Sequence, residues 1–225
     1  MKSTLTSAVF FLFLIFITGC ESAKEKSGKA YEAGIALAKE ADASLEKGDT
    51  KAAGELYAKA IASFTESIKH DSTHTSARSA IAHAHFKNSN DTEALAWYEK
   101  AKGAEPEAAM NYRDMGLIKV KQGELDAGKE LLEKAVALDH SGGNLNEMIN
   151  GLVAIGNDKF KAGADNKTQG NVEEAKKNQN YAMSVLMLAY YHDNTRKDVA
   201  GTIAKYADEV GDYTVKMQYT KLSQQ

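Results

Sequence analysis

The sequence predicts an all-α protein, an α-solenoid of about five antiparallel helix pairs, and three observations carry that expectation. Only one residue in 225 is proline, against an ordinary share of about 5 %, and proline is the residue that breaks helix interiors. Apolar residues recur every three or four positions along most of the chain, the spacing of one helix face. Sliding the chain by 34 residues also lays small residues on small residues: Ala82 falls on Gly116, Ser89 on Gly123, Ala94 on Gly128 and Ala101 on Ala135. The same shift lays Tyr98 on Leu132 and Pro106 on His140. A composition of 43 % hydrophobic and 26 % charged residues excludes a disordered or collagen-like chain.

The first nineteen residues differ from the rest. Lys2 is their only charge, and an unbroken apolar run extends from Ala8 to Ile17. A helix of that length rises about 15 Å, half of the ~30 Å hydrocarbon core of a bilayer, so the run is too short to span one. A charged start, a short apolar run and the small residues Thr18 and Gly19 read as a secretory signal over residues 1–19. Cys20 follows at once, and as the only cysteine it makes no internal disulfide. Residues 20–30 are polar, with alternating Lys and Glu, and read as a tether to a helical repeat domain over 31–225.

Within each unit of the repeat the order is small residue, turn, small residue, large apolar residue, small residue, helix stop. Helix backbones approach closely only where side chains are small, and Tyr98 or Leu132 fills the space beside that contact. The two central units run from Thr75 to Pro106 and from Ala109 to His140. Upstream, Gly48-Asp49 occupies the turn, with Ala53, Tyr57 and Ala60 at the right spacing. Ala60, Phe64 and Ser67 repeat that spacing, which predicts a second helix two turns longer than standard. From Gly143 to Asn194 the chain is too long for one standard unit. Leu145, Met148, Ile149, Leu152, Val153, Gly156 and Phe160 share one helical face, a polar loop is predicted over Gly163 to Gly170, and Asn171 with Glu174 reads as a capping-box variant. The helix it opens carries Ala182, Leu186 and Ala189 and runs to about Tyr191. Ile203, Ala204, Ala207 and Gly211-Asp212 match the first half of a last unit.

This register resembles that of the tetratricopeptide repeat. The resemblance implies that the first helix of each unit lines a concave groove where peptides or helices of a protein partner lie. Its groove positions fall on Ser79, His83, Phe86 and Lys87 in one unit and on Arg113, Leu117, Val120 and Lys121 in the next. Lys87 and Lys121 are one repeat apart, so a cationic strip with Arg113 nearby is expected, suited to an acidic or carboxylate-ended peptide. Ser79 and His83 stand where the family's carboxylate clamp has other polar residues. Ile17-Thr18-Gly19-Cys20 resembles the bacterial lipobox, which implies cleavage before Cys20 and lipid (palmitate among its acyl chains) on that residue. Several acyl chains make a near-permanent anchor. Glu21 in place of the aspartate that marks inner-membrane retention points to the outer membrane of a bacterial envelope.

Other chemistry is weighed and set aside. A net charge of −3 gives no basic face for nucleic acid. No phosphate-cradling glycine loop, nucleophile elbow or HExxH helix is present, so no catalytic residue, metal site or cofactor is expected, and the chain reads as a non-enzyme. Asp165 to Gly170 glances at a calcium loop, but Lys167, Gln169 and Lys176 stand at ligand positions. His83 and His85 are two apart on a helix and point to different sides. His70 and His74 flank Asp71-Ser72-Thr73, which reads as a solvated turn. Met183, Val185, Leu186, Met187, Leu188, Tyr190 and Tyr191 make the penultimate long helix apolar around most of its circumference, as core or as a docking face. The expected function is an envelope-anchored scaffold for other proteins. The alternative is a lipoprotein that binds a small hydrophobic ligand beside a transporter.

Overall fold

The computed structural model describes residues 21–225, which form ten α-helices joined by short turns: α1 (Ala23–Glu46), α2 (Thr50–His70), α3 (Ser76–Lys87), α4 (Asp91–Ala104), α5 (Ala109–Gln122), α6 (Leu125–Leu138), α7 (Gly142–Thr168), α8 (Val172–His192), α9 (Lys197–Val210) and α10 (Tyr213–Gln224). The signal segment 1–19 and Cys20 lie outside the described residues. Each odd-numbered helix packs most extensively on the even-numbered helix after it, giving five helix hairpins. All five hairpin turns contain one residue in the left-handed region: Gly48, Ser89, Gly123, Gly170 and Gly211. Glycine takes that conformation without steric cost, and Ser89, at φ 58°, is the one position where a side chain bears it.

The 34-residue register is a register of close approach. A Cβ on Gly128 would lie 2.9 Å from the carbonyl oxygen of Gly116, and one on Gly116 would lie 2.8 Å from Leu132. Leu132 and its counterpart Tyr98 are both fully buried beside those contacts. In the first hairpin Gly34 faces the ring of Phe64, and in the fourth Gly156 faces Leu186. Helix α2 has 21 residues against 14 in α4 and α6, the two extra turns that Phe64 and Ser67 announce.

Three boundaries differ from expectation. Residues 23–30 are not a tether but the first two turns of α1. Ser22 caps that helix by accepting the Glu25 N–H, and Ser27 is buried with its hydroxyl 2.9 Å from that of Ser67. Helix α7 does not end at Gly163; it continues to Thr168 because Gly163 is where the pair α7–α8 touches. Asp165 to Thr168 are therefore helical. Asn171 occupies the N-cap position of α8 but its side chain makes no capping bond.

The largest core cluster joins α5 to α9 through Leu132, Met148, Ile149, Leu152, Leu186 and Ile203. Val185, Leu186, Leu188 and Ala189 belong to it, so most of the apolar circumference of α8 is core, while Tyr191 is 69 % exposed. Helix α10 contributes no fully buried residue. No helix among the described residues is long and apolar enough to cross a membrane.

Candidate binding groove

Helices α1, α3, α5 and α7, the first members of the first four hairpins, contact one another in sequence and form one face. Two cavities open on it. One of about 350 Å³ lies between α1, α3 and the approach to α5. Its α1 wall is Tyr31, Ile35, Ala38 and Asp42, residues spaced to share one helical face. Tyr57 and Phe64 close it from α2, with Ser79, Ala80 and His83 on α3 and Glu105 and Met110 at the far side. The other, of about 370 Å³, lies between α3, α5 and α7 and is lined by Phe86, Lys87, Arg113, Leu117, Glu147 and Asn150 among others. Asp42 and His83 line both cavities and mark where they meet.

The groove thus brings together Ser79, His83, Phe86, Lys87, Arg113 and Leu117, as the repeat register implies. It does not bring in Val120 or Lys121. Val120 is fully buried, and its side chain sits where a Cβ on Gly128 would fall, so it faces α6. Lys121 pairs with Asp91 of α4 at 2.8 Å. Leu117 is only 3 % exposed and packs against Gly151, whose missing side chain makes room for it.

The expected cationic strip is not formed, because each cation has an acid. Lys87 reaches Asp42 at 3.2 Å across the groove. Arg113, 5 % exposed, donates to Asp114 at 2.8 Å and to Glu147 at 2.6 Å. Asp114 is the centre of a buried network: it also accepts from the Tyr98 hydroxyl, and its Oδ2 lies 2.7 Å from Nδ1 of His83. Burial pushes its carboxyl up, but His83, Arg113 and Tyr98 outweigh that and hold it below the usual carboxylate range. Tyr98 is pushed well above the ordinary phenol range by burial and by Asp114. A charge removed from water in this way is tolerated because it is hydrogen-bonded on all sides.

Glu105 is the second fixed carboxylate. It accepts from the hydroxyls of Thr75 (2.7 Å), Ser76 (2.9 Å) and Ser79 (3.1 Å). Burial opposes its ionisation, yet the three hydroxyl bonds hold it below the ordinary value. Sequence reasoning missed Asp42, Glu105 and Asp114, all of which act through partners on other helices. The adjacent pair Arg113-Asp114 inside an otherwise buried helix was the one local signal.

The histidines resolve separately. His74 is not in a solvated turn: its Nδ1 lies 3.0 Å from both Ser27 and Ser67, and its ring centroid is 4.6 Å from that of Tyr31. His70 lies 3.2 Å from Glu66 instead. His83 turns to Asp114, whereas Nδ1 of His85 is buried without a partner. No group of three or more His, Cys, Asp or Glu side chains among the described residues converges as a metal site. A wider groove of about 840 Å³ lies between α8 and the α9–α10 turn, bordered by Met183, Met187 and Tyr213.

No family model matches the chain, and no curated protein matches it. Among solved structures it is similar to a crystal structure of MamA, at 15 % identity over 88 % of this chain and 90 % of that one, with a TM-score of 0.49. A second MamA crystal structure aligns at 15 % identity over 81 % and 91 %, TM-score 0.45. Pseudomonas aeruginosa pilF aligns at 16 % identity over 87 % and 77 %, TM-score 0.47. At these values the likenesses add nothing to what the chain's own helix pairing establishes, a solenoid of five tetratricopeptide-like hairpins.

Proposed function

We propose that this chain is a scaffold that holds another polypeptide along the face of α1, α3, α5 and α7, tethered to a bacterial envelope membrane by lipid on Cys20. The observation that carries the first part is the paired cavity itself. Helices α1, α3 and α5 present apolar residues (Ile35, Phe86, Met110) beside polar ones in two cavities that meet at Asp42 and His83. The buried Asp114 network fixes the spacing of α3 and α5, so the groove is preformed and a ligand pays little to order it.

The anchor is supported by the sequence alone, through the signal-like run and Cys20. With α1 beginning at Ala23, only a few residues separate that cysteine from the first helix, so the solenoid would be held close to the membrane surface. Outer-membrane placement follows from Glu21 by resemblance.

The test is a photo-crosslinking residue placed at Phe86 in intact cells, with Lys134 on α6 as the control position. Capture of a defined polypeptide at Phe86 and not at Lys134 is the expected result. Capture at neither, or at both alike, would overturn the groove reading. Cys20→Ser is expected to release the protein from membranes, and retention in the membrane fraction would refute the anchor.

A further inference from the structure

The smaller cavity has an electrostatic asymmetry. Two carboxylates, Asp42 and Glu105, line it, and neither a lysine nor an arginine does. Asp42 is compensated from outside by Lys87. Glu105 makes no ion pair among the described residues, although its three hydroxyl donors keep it ionised. Held in one orientation by three neutral donors, with His74 the nearest titratable cation and no lysine or arginine paired to it, this carboxylate at the wall of an apolar cavity is a fixed negative field.

The rest of the lining states what shape of partner fits. Ile35, Ala38, Ala80 and Met110 offer an apolar passage. Tyr31 stands near its Glu105 end, close enough that burial and the Glu105 charge both push its phenol up. Lysine and arginine combine an apolar stem with a charged head, and an aromatic face adds attraction for that head. A volume of about 350 Å³ accommodates one such side chain with room to spare.

We propose that the cavity between α1 and α3 receives a lysine or arginine side chain of the bound polypeptide, its stem against Ile35 and Ala80 and its cation on Glu105. This rests on the scaffold reading of the groove, and it reverses the sign of partner that Lys87, Arg113 and Lys121 suggest from sequence. The recognised segment is basic at this position because the cavity's unpaired charge is negative.

The test uses three probes of one chain length, n-hexylamine, n-hexanol and n-hexanoate, titrated into the protein at pH 7 with the methyl NMR signals of Ala80 and Met110 as readout. Hexylamine should bind about tenfold more tightly than hexanol, with hexanoate weakest. Glu105→Gln should abolish the preference for the amine while leaving hexanol binding unchanged, and the retained hexanol response shows that the cavity is intact. Equal binding of amine and carboxylate, or an amine preference that survives Glu105→Gln, would overturn the proposal. Capture of a polypeptide at Phe86 together with no amine preference would leave the scaffold standing and refute this site. An amine preference with no polypeptide captured would refute the assignment to a side chain of a bound chain, because the cation would then come from a free amine.

Discussion

Nδ1 of His83 lies 2.7 Å from Oδ2 of Asp114, joining α3 to a carboxylate at the middle of α5 that is 1 % exposed. The same carboxylate accepts from Tyr98 of α4 and Arg113 of α5, so one side chain ties three helices beneath the groove. Asp114→Ala would leave the Arg113 guanidinium buried without one of its two acids, the buried one. Breaking a buried ion pair from one side costs about 3–5 kcal/mol. Because Arg113 keeps Glu147, the lower end is expected. Urea unfolding at pH 7 measures it, and a loss below about 1 kcal/mol would show that the network is not needed for stability. The folded-state carboxyl is shifted down, so its contribution is present above the ordinary carboxylate pKa near 4 and fades as pH falls through the lower folded value.

Burial pushes two other imidazoles the opposite way from what acid conditions demand. His192 at the end of α8 and His85 on α3 both have pKa values lowered chiefly by desolvation, only partly offset by Glu133 and Glu93 respectively. Nε2 of His192 and Nδ1 of His85 are buried without partners. The folded chain therefore prefers both rings neutral. Their contribution is complete above the unfolded histidine pKa of about 6.5 and is lost as pH falls below it. Tm should drop between pH 7.5 and 5.5, a window in which unfolded carboxylates remain ionised, and the double variant His85→Asn, His192→Asn should flatten that slope. An unchanged slope in the variant would assign the pH dependence elsewhere.

Gly163 separates two meanings of glycine in a helix. A Cβ there would lie 2.6 Å from Cγ of Gln179 and 2.9 Å from the backbone oxygen of Ala175. Backbone cannot yield as a side-chain tip can, so Gly163→Ala should cost about 1–3 kcal/mol by forcing α7 and α8 apart. In Gly28 of α1 nothing lies within 4 Å of the same added atom. Gly28→Ala should therefore stabilise the chain by about 0.5–1 kcal/mol through helix propensity alone. Thermal unfolding of the two variants side by side should move in opposite directions; movement in the same direction would mean that the α7–α8 contact is not close-packed at Gly163.

The same residue shows where sequence reasoning stops. Small residues 34 apart betray helix contacts because the constraint is local to each hairpin, and that made the central pairs and the long α2 legible. At Gly163 a contact glycine stands in a polar stretch, so it reads as a loop until Gln179 and Ala175 are seen against it. The register placed Ser79, His83, Phe86, Lys87, Arg113 and Leu117 at the cavities but also named Val120 and Lys121, which turn elsewhere, and it said nothing of charge balance. Lys87 and Asp42 are 45 positions apart and meet only through packing of α1 against α3. Glu105 owes its character to hydroxyls some 26 to 30 residues before it. Charge balance in a solenoid groove is a tertiary property, and a single helix face does not encode it.

Asn111 carries the last expectation. Its side chain is fully buried, and neither Oδ1 nor Nδ2 has a hydrogen-bond partner. Met115 and Ile118, one and two turns further along the same face of α5, pack in an apolar cluster with Ala82, Ala94 and Tyr98. An amide left unsatisfied in such surroundings costs about 1–3 kcal/mol, whereas an apolar group of similar shape carries no such penalty. Asn111→Leu should therefore raise the urea midpoint by an amount equivalent to about 1–2 kcal/mol without changing the m-value. Destabilisation by Asn111→Leu would mean that the amide is satisfied in solution and holds α5 in place.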